Sequence, residues 1–429
     1  MIAKARKYLS SDLLRVSSLN ALSTLIRMIT GLISVKFVAT LIGPAGIAIL
    51  GQLNNFTTIT QTIASAGINQ GVTKYVAENK NTPGKSLAYI ATAFWITIVA
   101  SLITGIVIYV SATPLANHFL KDPQLAIVFR IYAATLWFFA INALILSIVN
   151  GQKDFKNLFL INVAGSVIGL LFTVALTHYF SLKGTLIAAV TFQSIVLVFT
   201  VFMIRRQQWS NPVHFRPAAY EKRKAVDLWK FSAMSLLSAF LVPISQLIIR
   251  NHIITEGSIN DAGLWEGVNR ISNIYLLVAI TSLSAYFLPR LAELHTNVEL
   301  KAELKSVYTL MIPGLALCAA AIFVLRDFII SLLFSKAFYG MADIIHFQLI
   351  GDMVKMAGWV LGYLMLAKVM LRQYIFLEIL SFLAQVGLAM VFVRQFGVVG
   401  ATMSYALGHF IYLIVAAFLL RSILFHKPA

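Results

Sequence analysis

The chain has 429 residues, of which 59% are hydrophobic and 12% charged, with 34 Lys and Arg against 16 Asp and Glu. Apolar runs recur from Leu13 to Leu424, which excludes a water-soluble globular protein and places nearly the whole chain in a membrane. The single cysteine, Cys318, excludes an internal disulfide or a thiolate metal cluster.

Lys4, Arg6 and Lys7 open the chain, but no short apolar region with a small-residue cleavage site follows them. The first apolar span is therefore expected to be retained and not removed as a signal peptide. Breaks at Gly, Pro and charge clusters divide the sequence into twelve spans, at 16–42, 46–74, 86–112, 125–149, 157–179, 184–204, 226–250, 262–288, 304–325, 341–367, 373–393 and 398–420. Each approaches or exceeds the roughly 20 residues that a helix needs to cross the hydrocarbon core. The runs are continuous and do not alternate, so a closed β-barrel is excluded. The expected fold is an all-α polytopic membrane protein with twelve transmembrane helices.

The first span contains LSTLIRMITGLISVKFVATLI at 22–42 and carries two cations. A charge near the middle of a spanning helix costs about 2.5–3.5 kcal/mol on insertion scales, so it is expected to face protein or water. Arg27 shares one small, polar helix face with Asn20, Ser23, Thr24, Gly31 and Ser34, as a wet cavity requires. Lys36 is half a turn out of phase, near the far end of the span, and is read as snorkelling. Asn54, Thr58, Gln61, Ser65 and Asn69 follow helical spacing down the second span. Their amides and hydroxyls suit sugar hydroxyls; the alternative is hydrogen-bonding glue between helices. Arg130, five residues into the fourth span, is read as an edge residue.

The longest connection, RRQQWSNPVHFRPAAYEKRKA at 205–225, has Trp209, Phe215 and Tyr220 among its charges and is broken by Pro212 and Pro217. It reads as a basic segment lying on anionic headgroups. It separates a first lobe at 1–204 from a second at 226–429. Pro243, in LSAFLVPISQL, removes a backbone donor and should kink the seventh span, which makes it a candidate hinge.

The eighth span pairs Glu266 with Arg270 at i, i+4, and Asn273, Thr281 and Ser284 continue that face. The pair is either a structural ion pair or part of a substrate surface. In the tenth span, QLIGDMVKMAGWVLGY sets Gln348, Asp352, Lys355, Trp359 and Tyr363 on one side. Asp352 and Lys355 either neutralise each other, or Asp352 titrates while Lys355 binds an anion. Glu378 lies near the start of the eleventh span; Asp352, Glu378 and Glu266 are the candidate ion-coupling acids.

With the N-terminus placed in the cytoplasm, Lys and Arg favour the cytoplasmic connections by nearly four to one. Lys74, Lys153, Lys222 and Lys301 lie on that side; Lys121, Lys183, Arg250, Arg326, Lys336 and Arg394 lie on the other. Both termini are then cytoplasmic, and the basic excess is a topology signal and not a nucleic-acid footprint. Three segment pairs match at an offset of 216 or 217: PAGIAILGQ at 44–52 with DAGLWEGVN at 261–269, KNLFLIN at 156–162 with RQYIFLE at 372–378, and FSLKGT at 180–185 with FGVVGA at 396–401. They indicate two six-helix lobes related by a pseudo-two-fold along the membrane normal, with a substrate path between them. Five cations within spans against three acids suit an anionic ligand and not a cation exporter.

AGINQGVTKYVA at 66–77, LWEGVNRISNIYL at 264–276, and LLFSKAF with FQLIGDMVKMAGWVLGYLMLAK within 332–368 carry a resemblance. Over nearly its whole length the chain resembles the Wzx-type flippases of the multidrug/oligosaccharidyl-lipid/polysaccharide exporter superfamily, which include O-antigen and enterobacterial common antigen lipid III translocases. The resemblance implies a V-shaped cavity between two lobes. It also implies transfer of undecaprenyl-diphosphate-linked oligosaccharide from the cytoplasmic to the periplasmic leaflet of a bacterial inner membrane, without catalysis or cofactor. A polysaccharide polymerase and a chain-length regulator are candidate partners. Arg27 and Arg270 resemble cationic positions on the first and eighth helices of lipid II flippases. Those proteins have a further arginine on the second helix, where this chain reads GQLNNF with no cation. Arg27, Arg270 and Lys355 are thus expected to bind the diphosphate, and Asn54, Thr58, Gln61, Asn69, Asn273 and Trp359 to meet sugar. A lipid II flippase and a multidrug/cation antiporter of the same superfamily are the alternatives. A membrane glycosyltransferase or polymerase would need a sizeable outer loop, and the sequence has none.

Overall fold

The computed structural model describes residues 2–211, 220–294 and 296–425; the side chains of 2–18, 20, 208, 230–238, 282, 284, 285, 288, 289, 292 and 425 lie outside the description. The described residues are helical and contain no strand. Among them, eight helices are long and apolar enough to cross a membrane. Two of these are double-length: α1 (Ile2–Ala64) and α5 (Phe155–Ile204). At 1.5 Å per residue a straight helix of 50 residues would span about 75 Å, more than twice the hydrocarbon thickness. Each therefore breaks at one residue with a positive φ, Gly43 in α1 and Ser181 in α5.

The remaining long elements are α2 (Asn69–Glu78), α3 (Pro83–Val110), α4 (Ala126–Gly151), α6 (Lys222–Glu256), α7 (Ile259–Ser282), α8 (Asn297–Val324), α9 (Ile345–Ala367), α10 (Leu371–Phe396) and α11 (Val398–Leu419). Each of the twelve predicted spans overlaps one of these helices or one half of α1 or α5, although the second takes in α2 as well, the eighth runs past the end of α7 and the tenth begins before α9. The second span is shorter than predicted. Gly67 N donates to Thr62 O at 3.0 Å and Ala66 N to Ile63 O at 2.8 Å, with Ala66 at φ 50. This is a Schellman stop, and it ends the helix ten residues before the sequence suggested.

The internal repeat is a repeat of backbone geometry. Positive φ recurs 216 residues apart at Lys153 and Val369, and again at Ser181 and Gly397. In the second turn of each repeat a glycine meets backbone directly. A Cβ on Gly184 would lie 1.9 Å from Leu176 O, and one on Gly400 would lie 2.1 Å from Phe392 O. FSLKGT and FGVVGA are thus the same tight helical hairpin built twice.

Two compact units emerge. One comprises residues up to Leu41 with Gln52–Pro243, and the other comprises Ile42–Gly51 with Ile244 onward. The first has a core around Ile68, Val72, Ile90, Ile148 and Leu228, and the second around Leu276, Phe287, Met356, Leu364 and Tyr412. The first half of α6 belongs to the first unit. There Tyr89 Oη donates to Asp227 at 3.1 Å, and Glu221 N donates to Thr92 Oγ1 at 3.1 Å. Pro243, the predicted hinge, is the last residue of that unit and is buried inside α6. Of the predicted headgroup-binding segment, residues 212–219, with Pro212, Phe215 and Pro217, lie outside the described residues. Trp209 departs from the prediction. It is buried in the first unit's core, because its indole finds apolar neighbours there.

Candidate functional site

The first unit contains a cavity of about 400 Å³. α1 presents Arg27, Thr30, Gly31 and Ser34 to it, four residues that share one face at i, i+3, i+4 and i+7. The face was legible in the spacing of Arg27, Gly31 and Ser34. Ser23 continues it as a buried residue, while the side chain of Asn20 lies outside the described residues. Asn142 from α4, and Asn162, Ser166 and Gln193 from the two halves of α5, supply further polar lining. Arg27 is exposed, and among the described residues it is the only charged group lining the cavity and has no carboxylate in ion-pairing reach. Lys36 is half-buried and does not line the cavity.

The predicted sugar-contacting face of the second span does not reach this cavity. Asn54 and Thr58 are exposed and Gln61 is half-buried, and the Thr58 hydroxyl is spent on Asn54 O at 2.8 Å. Asn69 was expected on the same face. It stands instead on α2, beyond the Schellman turn, and that turn breaks its helical phase with Gln61. Arg130 is exposed, as an edge residue should be.

In the second unit, Glu266 joins two arginines. Its Oε2 is 2.5 Å from Arg250 Nη2 and its Oε1 is 3.3 Å from Arg270 Nε. The Glu266–Arg270 pair matches the i, i+4 spacing. Arg250 corrects the sequence reading, which set it in an outer connection. α6 runs on to Glu256, so Arg250 is fully buried, with its guanidinium 5.3 Å from the Trp265 ring centroid. Gly51 makes room for the triad, since a Cβ there would come within 2.7 Å of the Glu266 carboxylate and 2.9 Å of Arg250 Nη2. One carboxylate against two guanidiniums leaves a net positive charge, and Arg270 is its more accessible member, with 18% of its side chain exposed against 1% for Arg250. Asn273, one turn further along α7, is exposed.

Asp352 on α9 is fully buried. Tyr275 Oη donates to it at 2.7 Å and Tyr405 Oη at 2.8 Å. These two hydroxyls stand where one of the two sequence readings set Lys355 as the neutralising partner. Among the described residues Lys355 forms no ion pair with Asp352; its ammonium lies 4.8 Å from the Trp359 ring centroid and 5.6 Å from that of Tyr405. The i, i+3 spacing sets the two on the same side, but the tyrosines reach the carboxylate from other helices. His409, a lone histidine on an apolar span, was not singled out in the sequence. It is buried edge-on to Tyr405, with ring centroids 4.6 Å apart. Glu378 on α10 is half-buried and accepts a hydrogen bond from Tyr374.

A family model described as "Polysaccharide biosynthesis protein" matches residues 13–295. The chain is 28% identical over 401 residues to the Lipid III flippase of Escherichia coli (strain K12), across 94% of this chain and 96% of that protein. Its fold is similar to the inward-facing conformation of a multidrug resistance MATE family transporter of the MOP superfamily. The TM-score is 0.79 at 17% identity, covering 93% of this chain and 94% of that one. The outward-facing conformation of a MATE family transporter gives a TM-score of 0.69 at 16% identity, covering 96% and 95%.

Proposed function

Because the chain belongs to the polysaccharide biosynthesis protein family, we propose that it is a flippase for undecaprenyl-diphosphate-linked oligosaccharide, of the lipid III or O-antigen kind. The observation that carries this reading is Arg27, an intramembrane guanidinium that opens on a polar cavity with no acid in its described lining. A hydrated oligosaccharide cannot cross about 30 Å of hydrocarbon unaided. The cavity offers hydrogen-bonding groups in place of water, and the guanidinium offers a planar fork that matches phosphate oxygens. Arg270, whose carboxylate is shared with Arg250, supplies a weaker cationic surface, and Lys355 a third. A cation antiporter would need the opposite sign at Arg27.

The distribution of Lys and Arg supports cytoplasmic termini, and the proposed substrate implies a bacterial inner membrane. Substrate then enters from the inner leaflet with its lipid tail left in the bilayer, and alternating access of the two lobes delivers it outward. An interior-negative potential favours outward movement of the anionic diphosphate by roughly 2.3 kcal/mol per charge per 100 mV. A polymerase and a chain-length regulator would take up the product. Deletion in the native host tests this reading. Lipid-linked oligosaccharide should accumulate in the inner leaflet, and unchanged export of every such lipid would overturn it.

Two variants probe the transport cycle. Pro243 leaves a backbone carbonyl of α6 without its donor, at the residue where one unit ends and the other begins. Pro243→Ala is expected to slow flipping about tenfold while lipid binding stays at the parental level, roughly 1.4 kcal/mol on the conformational step alone. An unchanged rate rejects the hinge. Asp352, with Glu378 as the second candidate, is the proposed ion-coupling acid. In vesicles, a pH gradient should accelerate transport by the parent chain and leave Asp352→Asn unaffected. An equal response in both excludes Asp352.

A further inference from the structure

Arg250 is a guanidinium that no ligand reaches. It is fully buried on α6 beside the Trp265 ring, and Gly51 closes over it, since a Cβ there would stand 2.9 Å from Nη2. Its Nε and Nη1 are buried without a hydrogen-bond partner. Only Nη2 is bonded, donating to Glu266 Oε2 at 2.5 Å. Apolar residues of similar volume often match or exceed a buried ion pair in stability. Stability alone therefore does not account for a buried guanidinium with two stranded N–H groups.

What Arg250 changes is the state of Arg270. Glu266 Oε1 lies 3.3 Å from Arg270 Nε, yet that nitrogen makes no hydrogen bond. Among the described residues, none of the Arg270 guanidinium nitrogens is engaged by a hydrogen bond. A carboxylate one turn earlier on the same helix, with Arg270 as its only partner, would close on the guanidinium in charge-assisted hydrogen bonds. Here the acid turns its bonded oxygen to the cation that is sealed off. The cation with 18% of its side chain exposed keeps its donors.

We infer that Arg250 is a positioning residue for the diphosphate: it draws the Glu266 carboxylate off Arg270 and leaves the Arg270 fork open to phosphate oxygens. The inference rests on the flippase reading and adds to it a residue that acts through Glu266 and never touches the lipid. The net positive charge of the triad then sits at its accessible edge, where a planar guanidinium binds phosphate best. Glycine at position 51 belongs to the same device. A Cβ there, 2.7 Å from the Glu266 carboxylate, would disturb the pairing.

The test uses the purified full chain in nanodiscs with two probes, polyprenyl diphosphate and the uncharged polyprenol. Arg250→Leu should bind the diphosphate about tenfold more weakly than the parent, roughly 1.4 kcal/mol, because Glu266 then closes on Arg270. Its affinity for polyprenol should stay parental, which a general loss of structure would not allow. Arg250→Leu/Glu266→Gln removes both members of the pair, keeps the net charge of the triad and should return diphosphate affinity to the parental level. Arg270→Ala should weaken binding of the diphosphate and spare polyprenol. An Arg250→Leu chain with parental diphosphate affinity, an equal loss for both probes, no recovery in the double variant, or parental binding by Arg270→Ala overturns the inference. If Arg250→Leu fails to fold, the double variant decides: parental diphosphate affinity upholds the role and a tenfold loss overturns it. A parent chain that holds the diphosphate no better than polyprenol overturns the flippase reading itself.

Discussion

Arg27→Ala is expected to slow flipping of lipid-linked oligosaccharide about a hundredfold or more in proteoliposomes, with expression and thermal stability close to parental. The size follows from two charge-assisted hydrogen bonds to phosphate, each worth about 1.5–3 kcal/mol, with roughly 1.4 kcal/mol per tenfold change. Stability should hold because Arg27 is exposed and among the described residues has no carboxylate partner to strand. Arg27→Lys keeps the charge but loses the planar fork, so a loss of about tenfold is expected. Parental rates in both variants would remove the anion-binding account of the cavity.

Glu266→Gln should have the largest effect on stability. It takes the one carboxylate from between Arg250 and Arg270 and leaves a fully buried guanidinium facing a second cation. Breaking a buried pair in this way typically costs about 3–5 kcal/mol. Arg270→Gln leaves a neutral Arg250–Glu266 pair and should be far milder. Thermal unfolding in detergent, followed by size-exclusion chromatography, ranks the two variants. The reverse order would mean that the triad does not hold α6 to α7.

Features that depend on one helix at a time were legible in the sequence. Span length set the helix positions, the 3.6-residue period set Arg27, Gly31 and Ser34 on one face, and the paired hairpins at Ser181 and Gly397 surfaced as a weak repeat. Features that depend on two helices were not. The Tyr275 and Tyr405 hydroxyls reach Asp352 from 77 and 53 residues away. Arg250 looked like a loop residue because α6 outlasts its apolar run by several residues. Asn142 and Gln193 are single amides in apolar spans, and only packing brings them to the cavity of Arg27. Asn69 was misplaced because Ser65, Ala66 and Gly67 carry a helix stop inside a periodic pattern that otherwise continues.

The central claim is that position 27 faces an aqueous space that a diphosphate lipid can fill. Cys318 is exposed, so the measurement needs a Cys318→Ser background carrying Ser34→Cys, which keeps Arg27 on the same cavity-lining face. A membrane-impermeant anionic thiol reagent should then modify position 34 from the aqueous phase, and added polyprenyl diphosphate should suppress the reaction. A thiol that the reagent never reaches, or one that reacts equally with and without the lipid, would contradict the account.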